Sequence, residues 1–161
     1  MTGRVEAVAS TDQDGLRAAA GLLHDFNLEY DEPTPPPAVL AERLASLVEH
    51  ERVLVLLARA GAEPAGVAVL RLWPSLWSEG QEAYLAELYV VPGRRGQGFG
   101  RALITEALRQ AQDGGADYAF LVTSEEDRLA QRLYEAAGFR RTEGEGGPAM
   151  LAYERELRPT T

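Results

Sequence analysis

The sequence predicts a single α/β domain in which helices cover both faces of a mixed β-sheet. Apolar residues recur with strand and helix periods in the order strand, two helices, three strands, helix, strand, helix and one or two further strands. Three consecutive strands exclude a purely parallel βαβ alternation, so part of the sheet must be antiparallel. The 161 residues, of which 45% are hydrophobic, suit one core, and no linker or repeat divides residues 1–161.

The N-terminal half predicts one strand, two helices and a hairpin. Residues 4–8 alternate like a strand, and the polar residues 10–12 offer an N-cap for a helix with apolar residues at helical spacing. The prolines of residues 33–37 cannot lie inside a helix because proline lacks the amide donor, so a rigid loop leads to the second helix. Residues 53–58 and 65–72 are short apolar runs around a turn, which is typical of a hairpin.

The C-terminal half alternates strands with helices. Residues 84–91 are apolar at nearly every position except Glu87, which predicts a strand buried on both faces with one carboxylate in it. A turn of glycines and arginines at residues 93–100 then precedes an amphipathic helix that ends at Gly114 and Gly115. The remaining predicted elements are a strand at residues 118–123, a helix between Ser124 and Gly138, and a final strand at residues 149–157.

The composition limits the partners and the chemistry. The formal net charge of -9 disfavours nucleic acids and anionic membranes and favours a cationic small molecule or peptide. The chain has no cysteine, which excludes disulfides, cysteine-ligated zinc and a cysteine acyl-enzyme. No apolar run reaches the ~18 residues that span a bilayer, and the N-terminus lacks a signal-peptide pattern, so a cytoplasmic protein is expected. His24 and His50 have no carboxylate companions at metal-ligand spacing, so no metal site is predicted.

The turn between the apolar strand and the amphipathic helix predicts a phosphate site. Residues 95–101 read Arg-Gly-Gln-Gly-Phe-Gly-Arg, although each glycine near a helix start costs up to ~1 kcal/mol relative to alanine. Amides at a helix N-terminus bind phosphate oxygens when no Cβ stands in the way, and the two arginines add positive charge. A glycine-rich turn without a ligand is the alternative. The Walker pattern is absent, and the dinucleotide fingerprint would need glycine in place of Leu103.

Two linked motifs point to a family. Arg95, Gly98 and Gly100 fill the pattern Arg-x-x-Gly-x-Gly, and residues 133–139 read Leu-Tyr-Glu-Ala-Ala-Gly-Phe. Together with the preceding strand, these residues resemble motifs A and B of the GCN5-related N-acetyltransferase (GNAT) superfamily. The resemblance is specific over about residues 85–139. It implies the GNAT fold, in which the fourth and fifth strands splay apart.

The resemblance also implies acetyl-CoA as the acetyl donor. In the family the pantetheine arm inserts between the splayed strands, and a backbone amide, here that of Val90, polarises the thioester carbonyl. Asp127 stands where relatives often have asparagine and cannot donate as an amide does, so its alternative role is to complement the dipole of the following helix. The acetyl-CoA contacts that the resemblance implies are Leu88, Tyr89, Val90, Arg95, Gly96, Gln97, Gly98, Phe99, Gly100, Arg101, Asp127 and Ala130.

Two side chains are candidates for proton transfer. Tyr134 matches the motif B tyrosine that relatives place beside the thioester sulfur, where its hydroxyl can protonate the leaving thiolate. The alternative is a core tyrosine, because Tyr134 lies on an apolar stripe with Ala130 and Ala137. Glu87 matches an acidic position found in many relatives and is the candidate general base, with a structural ion pair as its alternative.

The expected reaction is direct attack of a primary amine on the acetyl thioester, without a covalent enzyme intermediate. Acidic residues of two predicted loops are candidates for receiving a cationic acceptor, and a solvated acidic surface is their alternative. A non-catalytic module that binds or senses acyl-CoA is the competing function. Homodimers are frequent among relatives, so a homodimer is compatible with the resemblance. The acidic loop residues are Asp25, Glu29, Asp31, Glu32, Glu143 and Glu145.

Overall fold

The computed structural model describes residues 3–158, which form two compact units, one up to Leu121 and one from Val122 onward. The first unit holds a five-stranded sheet and three α-helices, and the second holds one further helix and loops. In chain order the elements are β1 (Arg4–Ala7), α1 (Gln13–Glu29), α2 (Pro37–His50), β2 (Val53–Ala60), β3 (Glu63–Pro74), β4 (Gln81–Val90), α3 (Phe99–Asp113), β5 (Ala116–Phe120) and α4 (Arg128–Ala136).

The sheet is mixed, as predicted. Its strands lie in the order β1-β2-β3-β4-β5, and the first three pairs are antiparallel. The fourth pair, β4 with β5, is parallel, because α3 carries the chain back across the sheet between these two strands. Hairpins connect β2 to β3 and β3 to β4, whereas α1 and α2 lie between β1 and its antiparallel neighbour β2.

The two faces of the sheet carry different helices. Successive side chains of β2 point to opposite faces, and Leu56 and Leu57 are both fully buried, so both faces are covered at this point. Leu57 belongs to the core that β2 and β3 form with α1 and α2. On the other face α3 approaches closely: a Cβ atom added at Gly66 would lie 2.9 Å from Cδ1 of Leu103 and 3.0 Å from the carbonyl oxygen of Tyr89.

Replacement of Gly66 by alanine is expected to lower the free energy of unfolding by about 1–3 kcal/mol, the usual cost of overpacking a dense core. The added methyl group meets a backbone oxygen as well as the Leu103 side chain, so the strain has little room to relax. Urea denaturation measures the effect. Gly21→Ala is the comparison, because a Cβ atom at Gly21 meets nothing within 4 Å and alanine in the interior of α1 should raise stability by up to about 1 kcal/mol. Equal stability of the two variants would show that α3 does not depend on this close approach.

A bulge in β4 separates its second half from β5. Val69 pairs with Glu87 and Leu70 pairs with Leu85, which leaves Ala86 as an extra residue in β4. Bulges bend the strand that carries them and increase its twist. The parallel pairing between β4 and β5 ends at Tyr84, whereas β4 pairs with β3 as far as Val90. The bend therefore leaves one edge of residues 85–90 without a neighbouring strand among the described residues, as expected for splayed strands.

The final strand predicted at residues 149–157 is wrong. In the part of the chain that the structure describes, no strand follows α4, and the one β-type pairing there is an isolated bridge between Thr142 and Ala149. A strand needs a partner for its backbone hydrogen bonds, and alternation of residue types does not specify one. None of the α-helices in residues 3–158 has the length and apolar character that crossing a membrane requires.

The prediction that β4 is buried on both faces is also wrong in detail. Ala83, Leu85 and Tyr89 are buried, but Glu87 is exposed and its neighbours in the strand are only half-buried. The strand has buried residues on both faces, but the bulge at Ala86 and the end of the pairing with β5 at Tyr84 leave its second half with an open edge, so Glu87 and its neighbours are not enclosed there.

Candidate functional site

Three residues of β4, Leu88, Tyr89 and Val90, were predicted to contact acetyl-CoA, and two of them present backbone groups at the open edge of the strand. The amide of Val91 donates to the carbonyl of Ala65 at 2.9 Å, so Val91 belongs to the residues that bond to β3. Backbone groups of alternate residues in an antiparallel pair point to opposite edges. Leu88 and Val90 therefore direct their N–H and C=O groups away from β3, and Tyr89 directs its own toward β3. Tyr89 contributes to this region through its side chain instead.

The turn before α3 is built on left-handed glycines. Gly96 has a φ of 76° and Gly98, the N-cap residue of α3, has a φ of 92°. Residues with a Cβ rarely adopt this region, so the glycines meet a conformational need. The first bond of the helix runs from the amide of Ala102 to the carbonyl of Gly98 at 3.0 Å. The amides of Phe99, Gly100 and Arg101 precede this bond at the start of the helix.

No side chain caps these amides. The N-cap residue of α3 makes no side-chain hydrogen bond, whereas Asp12 caps α1 by accepting a bond from the amide of Gly15 at 3.0 Å. Within residues 3–158, the three amides of the first turn of α3 have no hydrogen-bond partner. Unpaired amides at the positive end of a helix dipole form a site for an anion.

The side chains around the turn fix its shape. Phe99 is 3% exposed and anchors the start of α3 in the core. The amide nitrogen Nε2 of Gln97 donates back to the carbonyl of Gly93 at 3.2 Å, which closes the turn on itself. Arg101 is exposed and, with Gly98, lines a groove of about 610 Å³ along the first turns of α3. Arg101 thus leaves a positive charge accessible beside the turn.

Arg95 lies against a carboxylate that the sequence motif did not reveal. Its Nη2 donates to both carboxylate oxygens of Glu29, each at 2.9 Å, and its Nε donates to the carbonyl of Val90 at 3.0 Å. The guanidinium carbon lies 5.6 Å from the centre of the Tyr89 ring. Glu29, the last residue of α1, therefore contacts the turn before α3, and its carboxylate is paired with Arg95 instead of standing free among the acidic loop residues.

Glu87 combines an exposed position with an altered acidity. Partial desolvation raises the pKa of the Glu87 carboxyl above its ordinary value, and the positive charge of Arg71 on the neighbouring strand opposes this rise. A carboxyl with a raised pKa holds a proton more readily near neutral pH than an ordinary glutamate does. This property suits a group that exchanges protons during a reaction.

The second unit carries the remaining candidates on α4. Asp127 is the N-cap of this helix, and its Oδ1 accepts a hydrogen bond from the amide of Ala130 at 3.0 Å. This geometry matches the alternative role of Asp127, and it occupies the backbone donor of Ala130. Tyr134 is half-buried, and its ring meets the ring of Phe139 edge to face with centroids 6.2 Å apart.

Comparisons of the sequence with known proteins identify its family. The chain matches the Acetyltransferase (GNAT) family over residues 19–139. An uncharacterized N-acetyltransferase of Mycobacterium bovis is 31% identical over 143 residues, which cover 81% of this chain and 84% of that protein.

Solved structures show the same fold. A crystal structure assigned as an acetyltransferase from Arthrobacter sp. FB24 superposes with a TM-score of 0.84 at 41% identity and covers 96% of each chain. An aminoglycoside acetyltransferase from an uncultured soil metagenomic sample, crystallised with sisomicin, has the same fold with a TM-score of 0.77 at 19% identity and covers 96% of each chain. The chain belongs to the GNAT family of acetyltransferases.

Proposed function

We propose that the chain transfers an acetyl group from acetyl-CoA to a primary amine by direct attack of the amine in a ternary complex. The observation that carries the proposal is the open edge of β4, which leads into an uncapped helix start built on left-handed glycines. An extended amide-bearing arm fits the first feature and a pyrophosphate fits the second.

The residues of the turn suit a phosphate group. At position 98 a residue with a side chain would have a strained left-handed backbone. At Gly96 the space that a Cβ atom would occupy is empty. The amides of Phe99 and Gly100 are available to donate, and Arg101 adds a positive charge. The pyrophosphate of acetyl-CoA would be held here, and the backbone of Leu88 and Val90 would hold the pantetheine arm.

The chain's own groups have distinct tasks in this proposal. Acetyl-CoA supplies an acetyl group activated as a thioester. The N–H of Val90, which points away from β3, donates to the carbonyl oxygen of that group and withdraws electron density from its carbon. The Glu87 carboxylate accepts a proton from the ammonium form of the acceptor, directly or through water. The Tyr134 hydroxyl donates a proton to the departing sulfur, a role that rests on its place in motif B.

Glu87→Gln is expected to remove the acidic limb of the pH profile of kcat/KM. The base acts when ionised, so activity should rise with pH through the raised pKa of Glu87, and a glutamine of the same shape cannot titrate. A loss of about 10²-fold in rate at neutral pH is expected from the removal of a general base. Steady-state rates measured between pH 5 and 9 test this expectation.

Glu82→Gln is the matched control for this experiment. Glu82 lies on the same strand and accepts a hydrogen bond from Nε1 of Trp73 at 2.8 Å, which a glutamine oxygen can still accept. The control should keep the pH profile of the wild type. If Glu87→Gln also keeps that profile, Glu87 is not the base, and a water or another group takes the proton.

A broad amine panel tests the proposed function as a whole. Release of free thiol from acetyl-CoA in the presence of each amine reports turnover without knowledge of the acceptor. The net charge of -9 leads us to expect a cationic acceptor among the best substrates. Tight binding of acetyl-CoA with no turnover on any amine would favour the non-catalytic alternative, and no binding would remove the cofactor assignment.

A further inference from the structure

Glu29 and Arg95 form the one ion pair of the described residues that joins α1 to the turn before α3, residues 92–98, here called the cofactor turn. The two residues are 66 positions apart in the sequence. Arg95 donates through Nη2 to both oxygens of Glu29 and through Nε to the carbonyl of Val90. Among residues 3–158, Nη1 of Arg95 makes no hydrogen bond with a protein group. The pair therefore fixes one side of the guanidinium and leaves the other side available.

The Glu29 carboxylate accepts hydrogen bonds from Tyr89 as well as from Arg95. The hydroxyl of Tyr89 donates to its Oε1 at 3.2 Å, and the ring of Tyr89 stacks on that of Phe26, one turn earlier in α1, with centroids 5.0 Å apart. Burial, followed by the negative charge of Glu29, raises the pKa of Tyr89. The Tyr89 hydroxyl therefore keeps its proton, and its donation to Glu29, throughout the ordinary pH range.

The C-terminal end of α1, where Glu29 lies, is capped by a regular hydrogen-bonding motif. The amide of Glu32 donates to the carbonyl of Asn27 at 2.8 Å and the amide of Asp31 donates to that of Leu28 at 3.3 Å, the two bonds of a Schellman motif. Asp31 takes the left-handed position of that motif with a φ of 54°. Nδ2 of Asn27 also donates to the carbonyl of Pro33 at 3.0 Å, which fastens the following loop to the helix.

We propose that Glu29 is a positioning residue for the cofactor turn, holding Arg95 across the end of β4 so that the free side of the guanidinium meets the phosphate of the bound nucleotide. The inference rests on the proposed function and extends it, because no motif of the family resemblance includes this residue. Glu29 acts through Arg95 and does not touch the cofactor. The same contact ties the C-terminal end of α1 to the turn that begins α3.

Two effects of Glu29 on phosphate binding oppose each other. Its negative charge repels the phosphate, but the charge is paired with Arg95 at 2.9 Å and is further screened by water and salt. Its hydrogen bonds immobilise an arginine side chain before binding, which removes the rotamer entropy that binding would otherwise cost. The proposal requires the positioning effect to be the larger one, and the CoA affinity of a variant without the Glu29 charge measures which effect dominates.

A double-mutant cycle on CoA affinity tests the proposal. Calorimetry should show that Glu29→Gln weakens CoA binding about three- to tenfold, as expected for an arginine that must be ordered on binding. Arg95→Ala should weaken it at least as much. The variant with both changes should bind like Arg95→Ala alone, because Glu29 has no other route to the phosphate. In turnover, Glu29→Gln should raise KM for acetyl-CoA and leave kcat unchanged.

Glu63→Gln is the matched control. Glu63 pairs with the adjacent arginine, Arg94, at 3.5 Å, so the same change of charge is made beside the same turn without touching Arg95. This variant should bind CoA like the wild type. Amide hydrogen exchange of residues 92–98, all of which except Pro92 carry a backbone N–H, gives an independent reading in the protein without CoA. Exchange should become faster in Glu29→Gln and stay unchanged in Glu63→Gln.

The outcomes separate the two proposals. If the wild type binds CoA and Glu29→Gln binds it equally well or more tightly, the positioning role is wrong and the proposed function stands. Additive losses in the double variant would also overturn it. If the wild type does not bind CoA, the proposed function fails, and the phosphate role of Arg95 fails with it. Unchanged exchange at residues 92–98 in Glu29→Gln would show that Glu29 does not order the turn.

Discussion

Replacement of Tyr134 by phenylalanine is expected to lower kcat by about 10²- to 10⁴-fold, the usual contribution of a general acid. The change removes one hydroxyl group and keeps the ring, which meets Phe139 edge to face and can do so as phenylalanine. The affinity for acetyl-CoA should therefore stay nearly the same. Single-turnover rates and calorimetric binding of CoA, measured on the same preparations, separate the two quantities.

Tyr153→Phe controls for the loss of a tyrosine hydroxyl elsewhere in the second unit. Tyr153 is 91% exposed and belongs to no motif of the family resemblance, so this variant should have the wild-type rate. If kcat of Tyr134→Phe equals that of the wild type, the Tyr134 hydroxyl is not the general acid, and the alternative of a core tyrosine is favoured.

Local signals made most of the first unit predictable. Glycine at alternate positions before an amphipathic helix indicated a turn with special backbone needs, and Gly96 and Gly98 do adopt the left-handed region. The three consecutive apolar runs indicated that part of the sheet is antiparallel, and β2, β3 and β4 do pair in this way. Each of these inferences uses residues that are close together in the sequence.

Contacts between distant residues were not predictable in the same way. Nothing near Glu29 identifies Arg95 as its partner, because the pairing depends on where the end of α1 lies across the sheet. The bulge at Ala86 could not be predicted either, because no glycine and no change in the apolar pattern marks its position. In the sequence, Glu29 was one of several acidic residues of a predicted loop, and nothing distinguished it from the others.

The strand expected at residues 149–157 fails for a related physical reason. Alternation describes which side chains share a face, but a strand forms only where a second strand satisfies its backbone groups. In the described residues after α4, the pairing of Thr142 with Ala149 is isolated, and Leu151 and Leu157 are exposed. The alternating pattern was therefore necessary for a strand and was not sufficient.

Gly98→Asp is expected to weaken the binding of CoA by more than about 100-fold, because two penalties act at one position. The left-handed backbone at a φ of 92° costs an L-residue roughly 1–2 kcal/mol. The added carboxylate lies at the positive end of α3, where it competes with the phosphate for the unpaired amides and repels its charge. Together these effects reach the expected loss, since each ~1.4 kcal/mol is a factor of ten.

Two companion variants separate the penalties. Gly98→Ala brings the backbone strain without the charge, so the free turn should relax away from the left-handed backbone and lose about tenfold in CoA affinity when binding restores it. Gly93→Asp brings the same charge to the same turn at a position where a Cβ meets nothing within 4 Å, so it should lose only a few-fold by long-range repulsion. Calorimetric titration with CoA ranks the three. If Gly98→Asp binds CoA as tightly as Gly93→Asp does, the phosphate does not lie at the start of α3. A phosphate bound to the unpaired amides there would have to compete with the new carboxylate, and CoA binding would be weaker.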